Sequence, residues 1–205
     1  MSNTSKAIHA WRKIIGPEWV NMSKEEIHLA ETTSFFTTQT VKAILYPKNT
    51  DEVSRCVKIA NQYLIPIYPI SCGKNWGYGS KVPVTTDSVI IDLSRMNQIL
   101  ELNEKLAYVI IEPGVTQSQL FSYLEEKTSG TLWLDTVASS PHTSLIGNAM
   151  ERGHGTTPYC DRISHCCHLQ VVLPNGEIID TGYGAFPNCK TKNLDSWGLG
   201  PAISH

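Results

Sequence analysis

One glycine-rich segment stands out for the chemistry that its residue types could perform. It reads Ser71-Cys72-Gly73-Lys74-Asn75-Trp76-Gly77-Tyr78-Gly79-Ser80, with three glycines inside seven residues. Glycine allows the positive φ angles of a tight loop, and the converging backbone N–H groups of such a loop can bind a phosphate. Lys74 would add a positive charge. The pattern favours an anion-binding loop, and a plain glycine-rich surface turn is the alternative. Neither the G-x-x-x-x-G-K-[ST] loop nor a G-x-G-x-x-G that opens a helix is present.

Further short motifs follow this segment in one order along most of the chain. They are Val89-Ile90-Ile91-Asp92-Leu93-Ser94-Arg95-Met96-Asn97, Ile111-Glu112-Pro113-Gly114-Val115-Thr116, Leu132-Trp133-Leu134-Asp135, Gly147-Asn148-Ala149-Met150-Glu151-Arg152-Gly153, Thr157-Pro158-Tyr159, Val171-Val172-Leu173-Pro174-Asn175-Gly176-Glu177 and Trp197-Gly198-Leu199-Gly200-Pro201. Together they resemble the vanillyl-alcohol oxidase / p-cresol methylhydroxylase family of flavoproteins. The glycine-rich segment resembles the pyrophosphate loop of that family. Each motif alone is weak, and their shared order makes the resemblance specific.

The resemblance implies that the chain binds FAD through two glycine-rich regions. The first would hold the pyrophosphate and ribityl groups, and the second would line the isoalloxazine ring and the ribityl chain. A flat three-ring system and a diphosphate must both approach the backbone closely, which glycine permits. The expected contacts are Ser71, Cys72, Gly73, Lys74, Asn75, Trp76, Gly77 and Tyr78, then Pro113, Gly114 and Val115, and finally Ser139, Ser140, Gly147, Asn148, Arg152, Gly153, Gly155 and Thr156.

Two residues are candidates for a catalytic role. Tyr78 occupies the place of a family tyrosine that faces the substrate ring, so it would either hydrogen-bond a phenol or pack as an aromatic. His154 and Thr156 stand where phenol-oxidising members carry valine and a tyrosine that helps to hold the phenolate. A phenolic substrate therefore does not follow from these positions. His154 could act as a base beside the flavin, because histidine titrates near neutrality, or it could be a polar loop residue.

The resemblance also bears on how the flavin is attached and on which groups surround it. Related berberine-bridge-type oxidases carry a linking histidine in the first loop, where this chain has Lys74. Closer relatives place the linking residue in a later cap domain, so we expect non-covalent FAD here. Some members carry an aspartate near the flavin N5 atom. The local stretch offers Ala138, Ser139 and Ser140 instead, unless Asp135 reaches in.

The implied activity is that of the FAD-binding portion of an oxidoreductase, either an oxidase or a dehydrogenase. It would take a hydride from an activated carbon of a small molecule, a benzylic carbon for example, to flavin N5, and the redox chemistry belongs to the cofactor. Family members continue past the last motif into closing strands and a cap domain. We therefore expect a truncated product, one half of a split enzyme completed by a second polypeptide, or a fragment that serves as a non-catalytic subunit or interaction module.

Length and composition narrow the class of protein. The chain has 205 residues, of which 41% are hydrophobic and 18% charged, so it is globular with one or two domains. The formal net charge of −2 gives no electrostatic reason to expect nucleic acid or an anionic membrane as a partner. No apolar stretch approaches the ~20 residues of a membrane span. The first six residues lack the pattern of a secretory signal, so we expect a cytoplasmic protein.

The cysteines are expected to be reduced thiols without a metal. Without a secretion signal, the six cysteines do not indicate disulfides. Cys56 falls on an apolar helix face and is expected in the core. A cluster comprises Cys160, His165, Cys166, Cys167 and His168, but its spacing matches no standard zinc pattern.

The predicted fold class is α+β. It is the p-cresol methylhydroxylase-type FAD-binding fold of two small αβ subdomains, with the second incomplete and no cap domain. We expect a helical lead-in at 1–36, a first subdomain with the pyrophosphate loop at 37–115 and a second subdomain at 116–205. Strands are predicted at 40–46, 65–68, 89–93, 107–111 and 132–134, with a hairpin at 171–179.

Helix boundaries are predicted from capping residues and apolar spacing. A first helix should end at Gly16-Pro17, and the pairs Ser23/Glu26, Asn49/Glu52 and Thr116/Gln119 should cap three more. The apolar faces are expected to comprise Val53, Cys56, Val57, Ala60 and Leu64 in one helix, and Leu120, Phe121 and Leu124 in another.

Overall fold

The computed structural model of the protein describes residues 2–75, 81–137, 139–158 and 161–195. The chain divides into two compact units. The first unit comprises Met1–Met96 with Val172–Glu177, and the second comprises Asn97–Val171 with Ile178–His205. The division thus falls at residue 96, whereas the sequence segments were divided at 115. The reason is that the strands between these two positions share a hydrophobic core with the helix that follows them.

A four-stranded sheet forms the centre of the first unit. Its strands are β1 (Val20–Asn21), β2 (Val41–Leu45), β3 (Ile67–Ile70) and β4 (Ser88–Asp92), in the order β1-β2-β4-β3. β1 is antiparallel to β2, and the other two pairs are parallel. Every residue of β4 is buried, as expected for an interior parallel strand. β3 lies at an edge of the sheet, where Pro69 removes no ladder hydrogen bond that a neighbour requires.

Three α-helices accompany this sheet, namely α1 (Asn3–Ile15), α2 (Lys24–Glu31) and α3 (Thr50–Tyr63). The predicted caps of α2 and α3 are confirmed, because the Glu26 N–H donates to Ser23 Oγ and the Glu52 N–H donates to Asn49 Oδ1. The carboxylate of Glu52 does not return to the Asn49 N–H. It accepts from the N–H of Lys48, one residue earlier, at 2.9 Å.

The core of the first unit joins α1 to α3. Trp11 is fully buried, and its indole Nε1 donates to the Cys56 carbonyl at 3.1 Å. Cys56 is fully buried in the same cluster, as predicted. The prediction for Leu64 was wrong, because this residue is 84% exposed. It adopts the left-handed conformation that ends α3, so its side chain leaves the apolar face.

The second unit is built on a two-stranded antiparallel ribbon and two helices. The ribbon pairs β5 (Ile99–Asn103), which the sequence did not predict, with β6 (Tyr108–Ile111). The helices are α4 (Gln117–Thr128) and α5 (Leu145–Met150). The fully packed centre of this unit comprises Val115, Leu120, Leu124 and Leu145.

Two predictions for the second unit were wrong. Phe121 is 48% exposed, because it lies on the outer side of α4 beside the buried Leu120. Residues 132–134 form no strand within the described part of the chain. Leu132 and Leu134 do pack on the core, and Trp133 between them is 70% exposed. Burial therefore alternates along these residues as in a strand, but they have no ladder partner.

The predicted hairpin is confirmed as β7 (Gln170–Val172) and β8 (Ile178–Asp180). Its tip belongs to the first unit. There the Ser54 hydroxyl of α3 donates to the Gly176 carbonyl at 2.5 Å, and the Asn61 amide donates to the Pro174 carbonyl at 2.6 Å. Within the described ranges, no helix combines the length and hydrophobicity needed to cross a bilayer.

Candidate functional site

The glycine-rich segment begins where β3 ends. The parallel register places Ile70 opposite Asp92, so the carboxyl ends of β3 and β4 lie side by side. Parallel sheets of this kind bind ligands at the carboxyl ends of their strands. The described part of the segment, residues 71–75, therefore lies where an anion-binding loop is expected. The predicted contacts Trp76, Gly77 and Tyr78 lie outside the described residues.

Gly73 has a backbone conformation and a neighbour that both disfavour a residue with a side chain. Its φ is +61°, in the left-handed region that non-glycine residues rarely adopt. A Cβ at this position would come within 2.7 Å of Cε in the Lys81 side chain. Glycine is therefore favoured here both by the backbone conformation and by the space that the Lys81 stem occupies.

Lys81 and Asp92 form an ion pair beside the loop. Lys81 Nζ lies 3.5 Å from Asp92 Oδ2, and Asp92 is only 2% exposed. The other carboxylate oxygen of Asp92 accepts the Ser94 N–H at 3.0 Å. Sequence reasoning assigned no role to either residue. Asp92 belongs to one of the motifs that resemble the family. Lys81 belongs to none, and the sequence does not show where the chain places it after the glycine-rich segment.

Charged groups of both signs surround Cys72 in the described part of the loop. Burial and the charge of Asp92 raise the pKa of this thiol, against the opposing effects of Lys74 and Lys81. Cys72 is therefore a neutral thiol near physiological pH. Both lysines lie close enough to Cys72 to influence it, so two positive charges flank this part of the loop. Lys74 is exposed to solvent. This arrangement suits a doubly negative diphosphate.

In the second unit, Asp135 organises the second glycine-rich region. The Arg162 guanidinium donates to the Asp135 carbonyl, and its Nη1 lies 3.4 Å from the carboxylate Oδ2. The Thr156 N–H lies 3.2 Å from Oδ1 of the same carboxylate, and a Cβ on Gly155 would overlap with it. The Asp135 carboxylate therefore binds its own chain and holds the segment around Gly155. Sequence reasoning missed Arg162.

Gln117 at the start of α4 bridges the backbone on both sides of residue 138. Its side-chain oxygen accepts the Val137 N–H at 2.9 Å, and its amide donates to the Ser140 carbonyl at 3.3 Å. The hydroxyl of Ser139 forms a hydrogen bond with that of Thr143 at 2.9 Å. These bonds hold the segment that contains Ser139 and Ser140. Both residues are predicted flavin contacts.

Three polar atoms are buried without a hydrogen-bond partner among the described residues, namely Asp135 Oδ2, Asn148 Oδ1 and Thr157 Oγ1. Asp135 Oδ2 still has its ion pair with Arg162. Asn148 lies against Gly153, where a Cβ would overlap with its amide group. Because buried polar atoms normally have partners, Asn148 Oδ1 and Thr157 Oγ1 each have an unused hydrogen-bonding capacity among the described residues. The second region thus fits a flavin, which carries hydrogen-bonding groups along its ring edge.

The other predicted contacts are placed as follows. The Pro113 carbonyl accepts the Ser144 hydroxyl at 2.6 Å, and the Val115 side chain is fully buried in the core. The Gly147 N–H donates to Ser144 Oγ at 3.0 Å and so caps α5. Arg152 is exposed, with φ at +54°. Contacts of these residues with FAD stay predictions.

His154 is exposed and pairs through its backbone with Asp161. A catalytic role for it stays a prediction. In His168, which belongs to the cysteine-histidine cluster, the ring Nε2 lies 2.8 Å from Asp180 Oδ1. The part of the chain that the structure describes contains no group of three or more potential metal ligands. Cys160 lies outside that part, and the other five cysteines carry free thiols.

The buried Cys56 thiol should make the protein less stable in alkali. Burial and the charge of Glu52 raise its pKa to about 12 from an ordinary value of 9.0. Between these values the unfolded chain releases a proton that the folded chain keeps, so stability falls as the pH rises. Between about pH 8 and pH 10, wild type should lose about 1.4 kcal/mol more of its free energy of unfolding than Cys56→Ala does.

Urea denaturation at several pH values measures this difference. Tyr46, whose pKa burial raises to about 12, contributes in the same direction but is present in both proteins. Cys189→Ala is the control, because the hydrogen bond with Thr191 lowers the pKa of that thiol. An equal pH dependence for wild type and Cys56→Ala would contradict the assignment.

The fold and the two glycine-rich regions define an FAD-binding domain of the p-cresol methylhydroxylase type. Residues 41–182 match the family model described as "FAD binding domain", and the chain belongs to this family. The cofactor of the domain is therefore FAD. The family, the fold and the cofactor that the sequence predicted are all confirmed.

Particular relatives are similar over much of the chain. It is 44% identical over 198 residues to 1'-carboxy-chondrochloren decarboxylase of Chondromyces crocatus, covering 97% of this chain and 36% of that protein. It is 40% identical over 153 residues to the flavoprotein subunit of 4-cresol dehydrogenase [hydroxylating] of Pseudomonas putida, covering 75% and 29%. The crystal structure of substrate-bound p-cresol methylhydroxylase superposes with a TM-score of 0.92 at 33% identity, covering 98% and 39%. The chain thus spans between 29% and 39% of the length of these proteins.

Proposed function

We propose that the chain is the FAD-binding portion of a flavin-dependent oxidoreductase. The observation that supports this most directly is the loop at the carboxyl ends of β3 and β4, with Gly73 in the left-handed conformation and two lysines flanking Cys72. When bound, the flavin supplies the hydride acceptor. The part of the chain described here supplies binding and orientation. Within this chain FAD would be held without a covalent bond, because Lys74 stands where berberine-bridge-type members carry a linking histidine and closer relatives place the linking residue in a later cap domain.

Each glycine-rich region would bind a different part of the cofactor. In the first unit, Lys74 and the backbone of residues 71–75 would hold the diphosphate. In the second unit, the Asp135–Arg162 pair fixes the segment around Gly155, while Asn148 and Thr157 offer hydrogen bonds to the ring system. The buried contacts of Asp135 with Arg162 and Thr156 set the position of the second of these regions.

The substrate is a small molecule with an activated carbon. A benzylic carbon is the first candidate, because 4-cresol dehydrogenase and p-cresol methylhydroxylase are both named for a cresol. A substrate bearing a carboxyl group is the second, because the relative at 44% identity is named as a decarboxylase of a carboxy compound. His154, exposed in the second region, is the candidate base in either case.

Catalysis would require more polypeptide than these 205 residues. The chain spans 36% or less of the curated relatives described above, and one of these is named as a flavoprotein subunit. We infer that the rest of the site, including the cover over the substrate, comes from further residues of the same protein or from a second polypeptide. A cytoplasmic location is part of this proposal. The alternative is a non-catalytic subunit derived from a flavoprotein.

The visible absorption spectrum of the purified protein tests the proposal. We expect flavin absorbance in the product of the whole reading frame, with or without a co-encoded partner, after FAD is added. Acid precipitation of the 205-residue chain loaded with FAD should release the flavin into the supernatant, because this chain is expected to hold it without a covalent bond.

Absence of flavin absorbance in every sample would contradict the proposed function. Flavin that stays with the acid precipitate would refute the non-covalent attachment alone. FAD binding without reduction by cresols or carboxyl-bearing aromatic compounds would favour the non-catalytic subunit. The nucleotide sequence downstream of His205 separates a continuous protein from one completed by a separately encoded polypeptide.

A further inference from the structure

We propose that Lys81 is a positioning residue of the FAD-binding loop, acting through Gly73 and Asp92. Its stem sets the conformation of the loop at Gly73, and its ammonium group neutralises a buried carboxylate next to the diphosphate site. The inference rests on the FAD binding proposed above and adds the residue that prepares the first region for an anion.

The stem of Lys81 occupies the space beside the Gly73 backbone. A Cβ on Gly73 would lie 2.7 Å from Lys81 Cε and 3.0 Å from Cδ, both closer than side chains normally approach. The hydrocarbon part of Lys81 is therefore in van der Waals contact with the loop backbone. The Lys81 stem thus fills the space that a side chain at residue 73 would need in the observed conformation.

The ammonium group of Lys81 compensates the charge of a buried carboxylate. Asp92 is 2% exposed and lies opposite Ile70, immediately before the loop begins. An unpaired buried carboxylate at this place would repel a bound diphosphate, and burial weakens the screening by water. Lys81 Nζ, 3.5 Å from Asp92 Oδ2, supplies the compensating charge. The N–H of Ser94 binds the other oxygen but carries no charge.

Lys74 and Lys81 therefore have different roles. Lys74 is exposed, so its ammonium is free to approach the cofactor. Lys81 is directed to Asp92 by the ion pair, and its side chain is 28% exposed. Loss of Lys74 removes a direct contact, whereas loss of Lys81 uncovers the charge of Asp92. Only the second effect depends on whether residue 92 is charged.

Double-mutant analysis of FAD binding separates these effects. Lys81→Met keeps most of the stem and removes the charge, so the Kd for FAD should rise at least tenfold. Lys81→Ala also removes the stem and should raise the Kd further. When Asp92→Asn is added to Lys81→Met, the Kd should return to within about threefold of the value for Asp92→Asn alone, because no buried charge is left to neutralise.

The titrations use FAD-free protein from the whole reading frame, followed by calorimetry or by quenching of tryptophan fluorescence. Lys42→Met is the matched control, because Lys42 pairs with Asp87 at 2.7 Å on the surface of the same unit. It should leave the Kd for FAD unchanged. Thermal unfolding of each FAD-free variant shows whether the fold is intact at the temperature of the titration. Lys81→Met should melt below wild type, because it leaves the buried Asp92 carboxylate without its counter-charge, but above the titration temperature.

Wild-type affinity in Lys81→Met would overturn the inference while leaving the proposed function standing. A weakened Lys81→Met that Asp92→Asn fails to rescue would overturn it too, since the charge of Asp92 would then play no part. If the wild-type protein itself binds no FAD, the proposed function fails first, and that result is distinguishable from both others.

Discussion

Gly73→Val should lower the affinity for FAD at least a hundredfold, or about 2.7 kcal/mol. Two effects combine at this position. Valine is β-branched and strongly disfavours a φ near the observed +61°, and its side chain would collide with the Lys81 stem. The loop would have to leave its observed conformation at residue 73. Calorimetric titration of FAD into the FAD-free protein measures the change.

Gly130→Val is the matched control for Gly73→Val. Gly130 also has a positive φ, +77°, but a Cβ there would meet nothing closer than 3.8 Å. It follows the end of α4 in the second unit and should cost stability without changing FAD affinity. If Gly73→Val binds FAD as tightly as Gly130→Val, the glycine-rich segment is not the pyrophosphate loop.

Arg162→Met should destabilise the fold by about 3–5 kcal/mol, because it leaves a buried carboxylate without its counter-charge. The side chains of Arg162 and Asp135 are only 8% and 10% exposed. The substitution also removes the hydrogen bond to the Asp135 carbonyl. Urea denaturation measured by circular dichroism gives the free energy of unfolding.

Two further variants define what Arg162 does. Arg55→Met removes a partner of Asp51 at 2.6 Å from an exposed pair on α3, and should change stability by less than about 1 kcal/mol. Adding Asp135→Asn to Arg162→Met should restore part of the lost stability, since the unpaired charge disappears. A loss in Arg162→Met no larger than in Arg55→Met would show that the Asp135 carboxylate does not depend on this pair.

The local features of the fold were predictable because they depend on neighbours in sequence. A serine, asparagine or threonine placed three residues before a backbone N–H caps a helix wherever that helix packs, and Ser23, Asn49 and Thr116 all do so. The hairpin at β7 and β8 follows from Pro174-Asn175-Gly176 in the same way. Exposure was less predictable. The left-handed end of α3 turns Leu64 outward, and Phe121 lies on the outer side of α4.

The sequence by itself determined the family, the cofactor and the glycine-rich regions, because ordered motifs and residue types carry that information along the chain. Only the tertiary structure decided which charges meet. Lys81 and Asp92 are 11 residues apart, and Asp135 and Arg162 are 27 apart. Their pairing depends on strand register in one unit and on the return of a loop in the other. Ion pairs between distant residues have no spacing rule in sequence, since the intervening chain can take many paths.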